Sequence, residues 1–199
     1  MKKQANCKEN QVMKNENLVQ QHEIVDLIKN KFPKAVIKET QLSEKGHKSP
    51  KVIFDRLVNF VALKGEILRD DYLKDYLKRN SQTFKICDCI IFKFNDDVII
   101  GIIEMKGKNP DSDEIKEQLG NGKILAFKVM DDVKAKPPTN DNFIFLISTL
   151  SYSRLKVSGN RRNKQKHKLK INGCPVTFRG PVVDFPDEVE KKKRTLGPQ

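Results

Sequence analysis

The sequence predicts an α/β fold, a central mixed β-sheet flanked by helices. Two apolar runs rich in β-branched residues, "FKICDCIIFKF" and "VIIGIIEMK", are separated only by "NDD" and read as a β-hairpin. The hydrophobic period on either side of this hairpin is helical. A further buried run, "FIFLIST", follows the second helical stretch, and the order helix, strand, strand, helix, strand suits a mixed sheet.

Each element has its own local justification. Residues 1–15 are polar and are expected to form a flexible N-terminal tail. Leu18, Val19, His22, Val25, Leu27, Ile28 and Phe32 recur at helical spacing, so a helix is expected over 16–32, ended by Pro33. "KAVIKET" suggests a short strand and "LSEKGHKSP" a loop. Residues 51–79 read as helical, with Leu57, Phe60, Val61, Leu68, Tyr72, Leu73, Tyr76 and Leu77 in apolar stripes and Gly65 giving a kink or two helices. Strands are expected over 84–94 and 98–106. Asp111, Ser112 and Asp113 offer caps for a helix over 113–131, whose stripe of Ile115, Leu119, Gly122, Ala126 and Val129 suits close packing on a sheet. "KAKPPTNDN" breaks the chain before "FIFLIST", and two short strands fit around Asn172-Gly173. Residues 190–199 are expected to be a flexible C-terminal tail, which leaves 16–189 as a single domain.

Composition narrows the function classes. No run approaches the ~18–20 apolar residues of a membrane span, and the basic N-terminus has no apolar stretch behind it, so a cytoplasmic protein is expected. The four cysteines lack C-x-x-C spacing and do not resemble a disulfide framework. Cys87 and Cys89 read as small apolar side chains on one core-facing side of a strand rather than as zinc ligands. The formal net charge is +13. Residues 1–150 carry 26 Lys and Arg against 22 Asp and Glu, residues 151–183 carry nine against none, and residues 184–199 carry four of each. The excess sits in one segment, which either attracts a polyanion, nucleic acid first, or is a solvated loop.

The hairpin also carries charge where charge is costly. Side chains alternate across a strand, so Glu104 and Lys106 share one face and Met105 takes the other. A turn centred near residue 96 places residues whose numbers add to about 192 opposite each other, and Asp88 and Glu104 are such a pair. Two close carboxylates need a cation at neutral pH. Oxygen ligands of this kind suit Mg²⁺, or Mn²⁺ in its place, with substrate phosphate and water completing the shell. Lys106 can orient a water or hold a phosphate oxygen. A salt bridge between Lys106 and the carboxylates is the structural alternative.

"CD" at 87–88 followed by "IIEMKG" at 102–107 resembles the core of the PD-(D/E)XK nucleases, the restriction-endonuclease-like fold, over roughly residues 55–150. Cys87 stands where that motif has proline. The resemblance implies a metal-dependent endonuclease with Asp88 and Glu104 as metal ligands and Lys106 assisting the attacking water. It also implies a site-orienting polar residue on the following helix, matched by Gln118, and an extra acid from a preceding helix, for which Glu66 is the candidate, ahead of Glu23 and Asp55. Beside such a site, Arg154, Lys156, Arg161, Arg162, Lys164, Lys166, Lys168 and Lys170 would grip a phosphate backbone, of DNA more readily than RNA. Double-strand cutting with one site per chain would favour a homodimer. A nucleic-acid-binding module without catalysis is the alternative on the same fold.

Overall fold

The computed structural model describes residues 21–43, 49–79, 84–95, 97–107, 111–150 and 169–196. Residues 21–31 are helical (α1) and bury Val25 and Ile28. The chain continues through β1 (Gln41–Ser43), β2 (Lys51–Ile53), β3 (Phe60–Lys64), α2 (Gly65–Arg79), β4 (Cys89–Phe94), β5 (Val98–Lys106) and α3 (Ser112–Asp132). It ends with β6 (Phe143–Thr149), β7 (Lys170–Ile171), β8 (Cys174–Arg179), β9 (Val182–Asp184) and α4 (Phe185–Leu196).

The main sheet has the order β3-β4-β5-β6-β8-β7, and a three-stranded sheet has the order β1-β2-β9. β3, β4 and β5 are antiparallel neighbours, with α2 connecting β3 to β4. α3 then carries the chain across so that β6 runs parallel to β5, and β8 runs parallel to β6. The sheet is therefore mixed and covered by helices.

Alternation along β4 and β5 sorts their side chains between two cores. Ile90, Phe92, Phe94, Ile100 and Ile102 face a cluster completed by Val25, Ile28 and Phe32, by Leu68 of α2, and by Ile115, Leu119, Ala126 and Val129 of α3. Cys89, Ile91, Ile99, Ile103 and Met105 face the opposite cluster, where Val52, Val183, Phe185 and Val189 cover them. With apolar layers on both faces, the central strands read as continuous hydrophobic runs. Gly101 admits the Phe185 ring, because a Cβ there would lie 2.4 Å from it.

The structure differs from the sequence expectations in five places. Residues 51–79 are not one helical stretch. Lys51–Ile53 and Phe60–Lys64 are strands, and only Gly65–Arg79 is helical. Short apolar runs fit either period. Pairing of β3 with β4 decides the matter, and Asn59, at φ 51°, has a left-handed backbone that no α-helix interior accommodates. Gly65 is not a kink but the first residue of α2.

Strand β4 begins at Cys89, not at 84, so the strand alternation does not extend to Cys87. Cys87 lies in the cluster beneath α3 and Cys89 in the opposite one, although both are buried. Residues 190–196 are helical rather than a tail, since Phe185 and Val189 anchor α4 at a four-residue spacing and Arg179 pairs with Glu188 at 2.8 Å. His22 is exposed on α1.

The turn at Asn172-Gly173 forms as expected, with both residues at positive φ joining β7 to β8. The short strand expected in "KAVIKET" is reduced to a bridge between Val36 and Leu63, followed by β1. Among the described residues, no helix is long and apolar enough to cross a membrane.

Candidate active site

The hairpin register places the acids. Cys89 faces Ile103 and Ile90 faces Ile102, so partners add to 192 and the next pair outward is Asp88 with Glu104. Asp88 sits one residue before β4 and is held twice. Its Oδ2 accepts the Met105 backbone N–H at 2.6 Å, and its carbonyl accepts the Gly65 N–H at 3.0 Å. The carboxylate thus continues the β4–β5 ladder in place of a main-chain acceptor. Gly65 makes this junction possible, because a Cβ there would lie 1.8 Å from the Cys87 carbonyl oxygen.

Glu104 lies on the α3 side of β5 and is only 2% exposed. Its Oε1 accepts from Lys106 Nζ at 2.8 Å, while its buried Oε2 has no hydrogen-bond partner. Burial first, and then the charge of Asp88, push the Glu104 carboxyl up to about 8, against the opposing pull of Lys106 and of the Asp88 backbone N–H. Burial pulls the Lys106 ammonium down, but Glu104 and Glu114 outweigh it and leave it above its ordinary value.

Helix α3 completes the arrangement. Its N-cap, Asp111, accepts from the backbone N–H groups of Asp113 and Glu114. Glu114 Oε1 lies 3.4 Å from Lys106 Nζ and 3.7 Å from Lys85 Nζ. Eight residues further on, a Cβ at Gly122 would meet Cys87 Sγ at 2.5 Å and Ile102 at 2.7 Å. Glu114 against Lys106 and Gly122 against Ile102 fix α3 antiparallel to β5. Gln118, midway between Glu114 and Gly122, lies on the same sheet-facing side of α3.

Gln118 is 9% exposed, so it does not face solvent. Its Nε2 donates to the Ile86 carbonyl at 3.5 Å, two residues before Asp88, and its Oε1 is buried without a partner. The two orphaned buried side-chain oxygens among the described residues thus belong to Glu104 and Gln118.

Not every expected residue joins this group. Glu66 is exposed in the first turn of α2, one residue after the Gly65 that bonds the Asp88 carbonyl. Among the described residues, no group of three or more His, Cys, Asp or Glu is placed to hold a metal, so Glu66 is not brought together with Asp88 and Glu104 as a third ligand. Arg154, Lys156, Arg161, Arg162, Lys164, Lys166 and Lys168 lie outside the described residues. Lys170 is exposed on β7. Sequence reasoning missed Glu114 and Lys85. Glu114 was reachable, since it precedes Gln118 by four residues and so shares its helix face.

The donor set fits a small hard cation. The orphaned buried carboxylate oxygen of Glu104 is in register with a second carboxylate, Asp88, whose Oδ2 accepts a backbone N–H. Mg²⁺ commonly takes one or two carboxylates and keeps water and phosphate for its remaining positions. Comparisons with protein-family models, with curated proteins and with solved structures find no match for this chain.

Proposed function

We propose that this chain is a Mg²⁺-dependent endonuclease that hydrolyses phosphodiester bonds in DNA on a restriction-endonuclease-like core. The observation that carries the reading is the buried, unpartnered Oε2 of Glu104 in register with Asp88. The order of α2, the β4–β5 hairpin, α3 and parallel β6 supports it, because the two acids then fall at adjacent ends of β4 and β5.

Asp88 and Glu104 would hold the ion. When bound, it supplies Lewis acidity and lowers the pKa of a coordinated water. The chain's own residues do the rest. The Met105 N–H fixes the Asp88 carboxylate before substrate arrives. Glu104, with Oε1 paired to Lys106, would offer its free Oε2 to the ion, any proton on the carboxyl being lost to solvent. Lys106, as an ammonium, donates to the attacking water or to a non-bridging phosphate oxygen as charge develops there. The basic segment 151–183 supplies sequence-independent phosphate contacts. Purified protein should nick or cut duplex DNA with Mg²⁺, and Lys106→Ala should abolish cleavage while leaving DNA binding intact. If duplex, single-stranded and branched DNA all survive with Mg²⁺ and with Mn²⁺, the enzymatic reading fails.

The Lys106–Glu104 ion pair at 2.8 Å supports a second reading, in which the charges are structural and the chain binds nucleic acid without cutting it. That reading expects salt-dependent DNA binding unaffected by Asp88→Ala and no metal dependence.

A further inference from the structure

Lys106 Nζ is bracketed by two carboxylates, at 2.8 Å from Glu104 Oε1 and 3.4 Å from Glu114 Oε1. The same Glu114 oxygen lies 3.7 Å from Lys85 Nζ. Glu114 is partly exposed and stands in the capped first turn of α3, so its backbone is fixed relative to β5. A divalent cation on the free Oε2 of Glu104 competes with the Lys106 ammonium on Oε1 for the charge of one carboxylate, and so loosens that ion pair. What becomes of the ammonium then decides both the cost of cation binding and whether an amine remains beside the reacting phosphate.

We infer that Glu114 is a positioning residue that receives Lys106 when a cation takes Glu104. The ammonium pivots from the Glu104 side to the Glu114 side without leaving the site or losing its counter-charge. Lys85, already within reach of the same oxygen, gives up its share of Glu114 and turns towards solvent and substrate phosphate. Glu114 thereby makes cation binding cheaper and holds Lys106 at the edge of the metal site. This rests on the proposed metal site but not on cleavage itself.

The test is a double-mutant cycle on the full chain, read as Mn²⁺ affinity by titration calorimetry without DNA. Glu114→Gln should weaken Mn²⁺ binding by about tenfold, as loss of an outer-shell partner commonly does. In a Lys106→Met background, where no ammonium needs a new partner, the same substitution should change affinity by less than about twofold. Circular dichroism on each variant reports whether the fold is kept, and Glu114→Asp should restore part of the loss. Equal weakening in both backgrounds would mean that Glu114 ligates the ion directly and would overturn the inference. A folded Glu114→Gln variant with wild-type affinity, or a wild-type chain that binds no Mn²⁺, would overturn it too. If the cycle behaves as expected while DNA survives every condition, the nuclease reading fails and the role of Glu114 stands.

Discussion

The Asp88 carboxylate accepts the backbone N–H of Met105 at 2.6 Å, so a side chain closes the last rung of the β4–β5 ladder. One acid of the candidate site is therefore also part of the hairpin. This dual role separates two substitutions. Asp88→Ala leaves the Met105 N–H without its acceptor and should cost about 1–3 kcal/mol of stability. Asp88→Asn keeps a carbonyl oxygen for that N–H and should cost less, yet remove the charge that a cation needs. Urea denaturation of the two variants, compared with their cation affinities, distinguishes the roles: stability should differ between them and affinity should be lost in both.

Glu104 predicts a pH dependence of stability. Its folded value of about 8 lies above the ordinary value of 4.5, so between these limits the folded state binds the proton more tightly than the unfolded state. Stability from this group is thus fully present below about 4.5 and falls as pH rises towards 8, at up to about 1.4 kcal/mol per unit for one proton. Glu104→Gln should flatten the profile across this window and be relatively more stable than wild type at its upper end. Unfolding free energies at pH 5, 6.5 and 8 check this; parallel profiles for the two proteins would contradict it.

Two glycines set how closely α2 and α3 approach the segment before β4. A Cβ at Gly65 meets a backbone carbonyl at 1.8 Å, whereas a Cβ at Gly122 meets side chains, Cys87 Sγ at 2.5 Å and Ile102 at 2.7 Å. Overpacking of this kind costs about 1–3 kcal/mol where side chains can adjust. Gly122→Ala should fall in that range and Gly65→Ala above it, because the Cys87 carbonyl cannot move without disturbing Asp88. Thermal melts of both variants give the order directly.

The basic segment predicts the salt dependence of DNA binding. Each Lys or Arg that neutralises a phosphate contributes about 0.9 to the slope of log affinity against log salt. Replacing Arg161, Arg162, Lys164 and Lys166 by alanine should flatten that slope and weaken binding on any sequence. Asp88→Asn should leave the slope unchanged. Fluorescence anisotropy at several salt concentrations measures both effects.

The hairpin and its register were legible because alternation is a strict period-two signal and "NDD" leaves little freedom in the turn. That arithmetic put Asp88 opposite Glu104 and Met105 on the other face. α3 was legible because Asp111 caps it and its small-residue stripe lies on the sheet. The strands β2 and β3 were not, since short runs such as "KVI" and "FVALK" fit a helix equally well until β4 supplies a partner. Cys87 was misplaced because a strand's alternation was continued past the point where its ladder begins. α4 was missed because its run of lysines and Arg194 resembles a tail, while its anchors, Phe185 and Val189, precede that run. Glu114 escaped because its significance depends on how α3 is laid across β5, which no single segment encodes.

The central claim is that Asp88 and Glu104 form one divalent-cation site, and titration calorimetry with Mn²⁺ at pH 6.5, 7.5 and 8.5 tests it most directly. One ion should bind per chain, with affinity rising by up to about tenfold per pH unit below 8 as the ion displaces the proton on Glu104. Both Asp88→Asn and Glu104→Gln should abolish binding. Binding that ignores pH and survives either substitution, or no binding at all by the folded wild-type chain, would contradict the account.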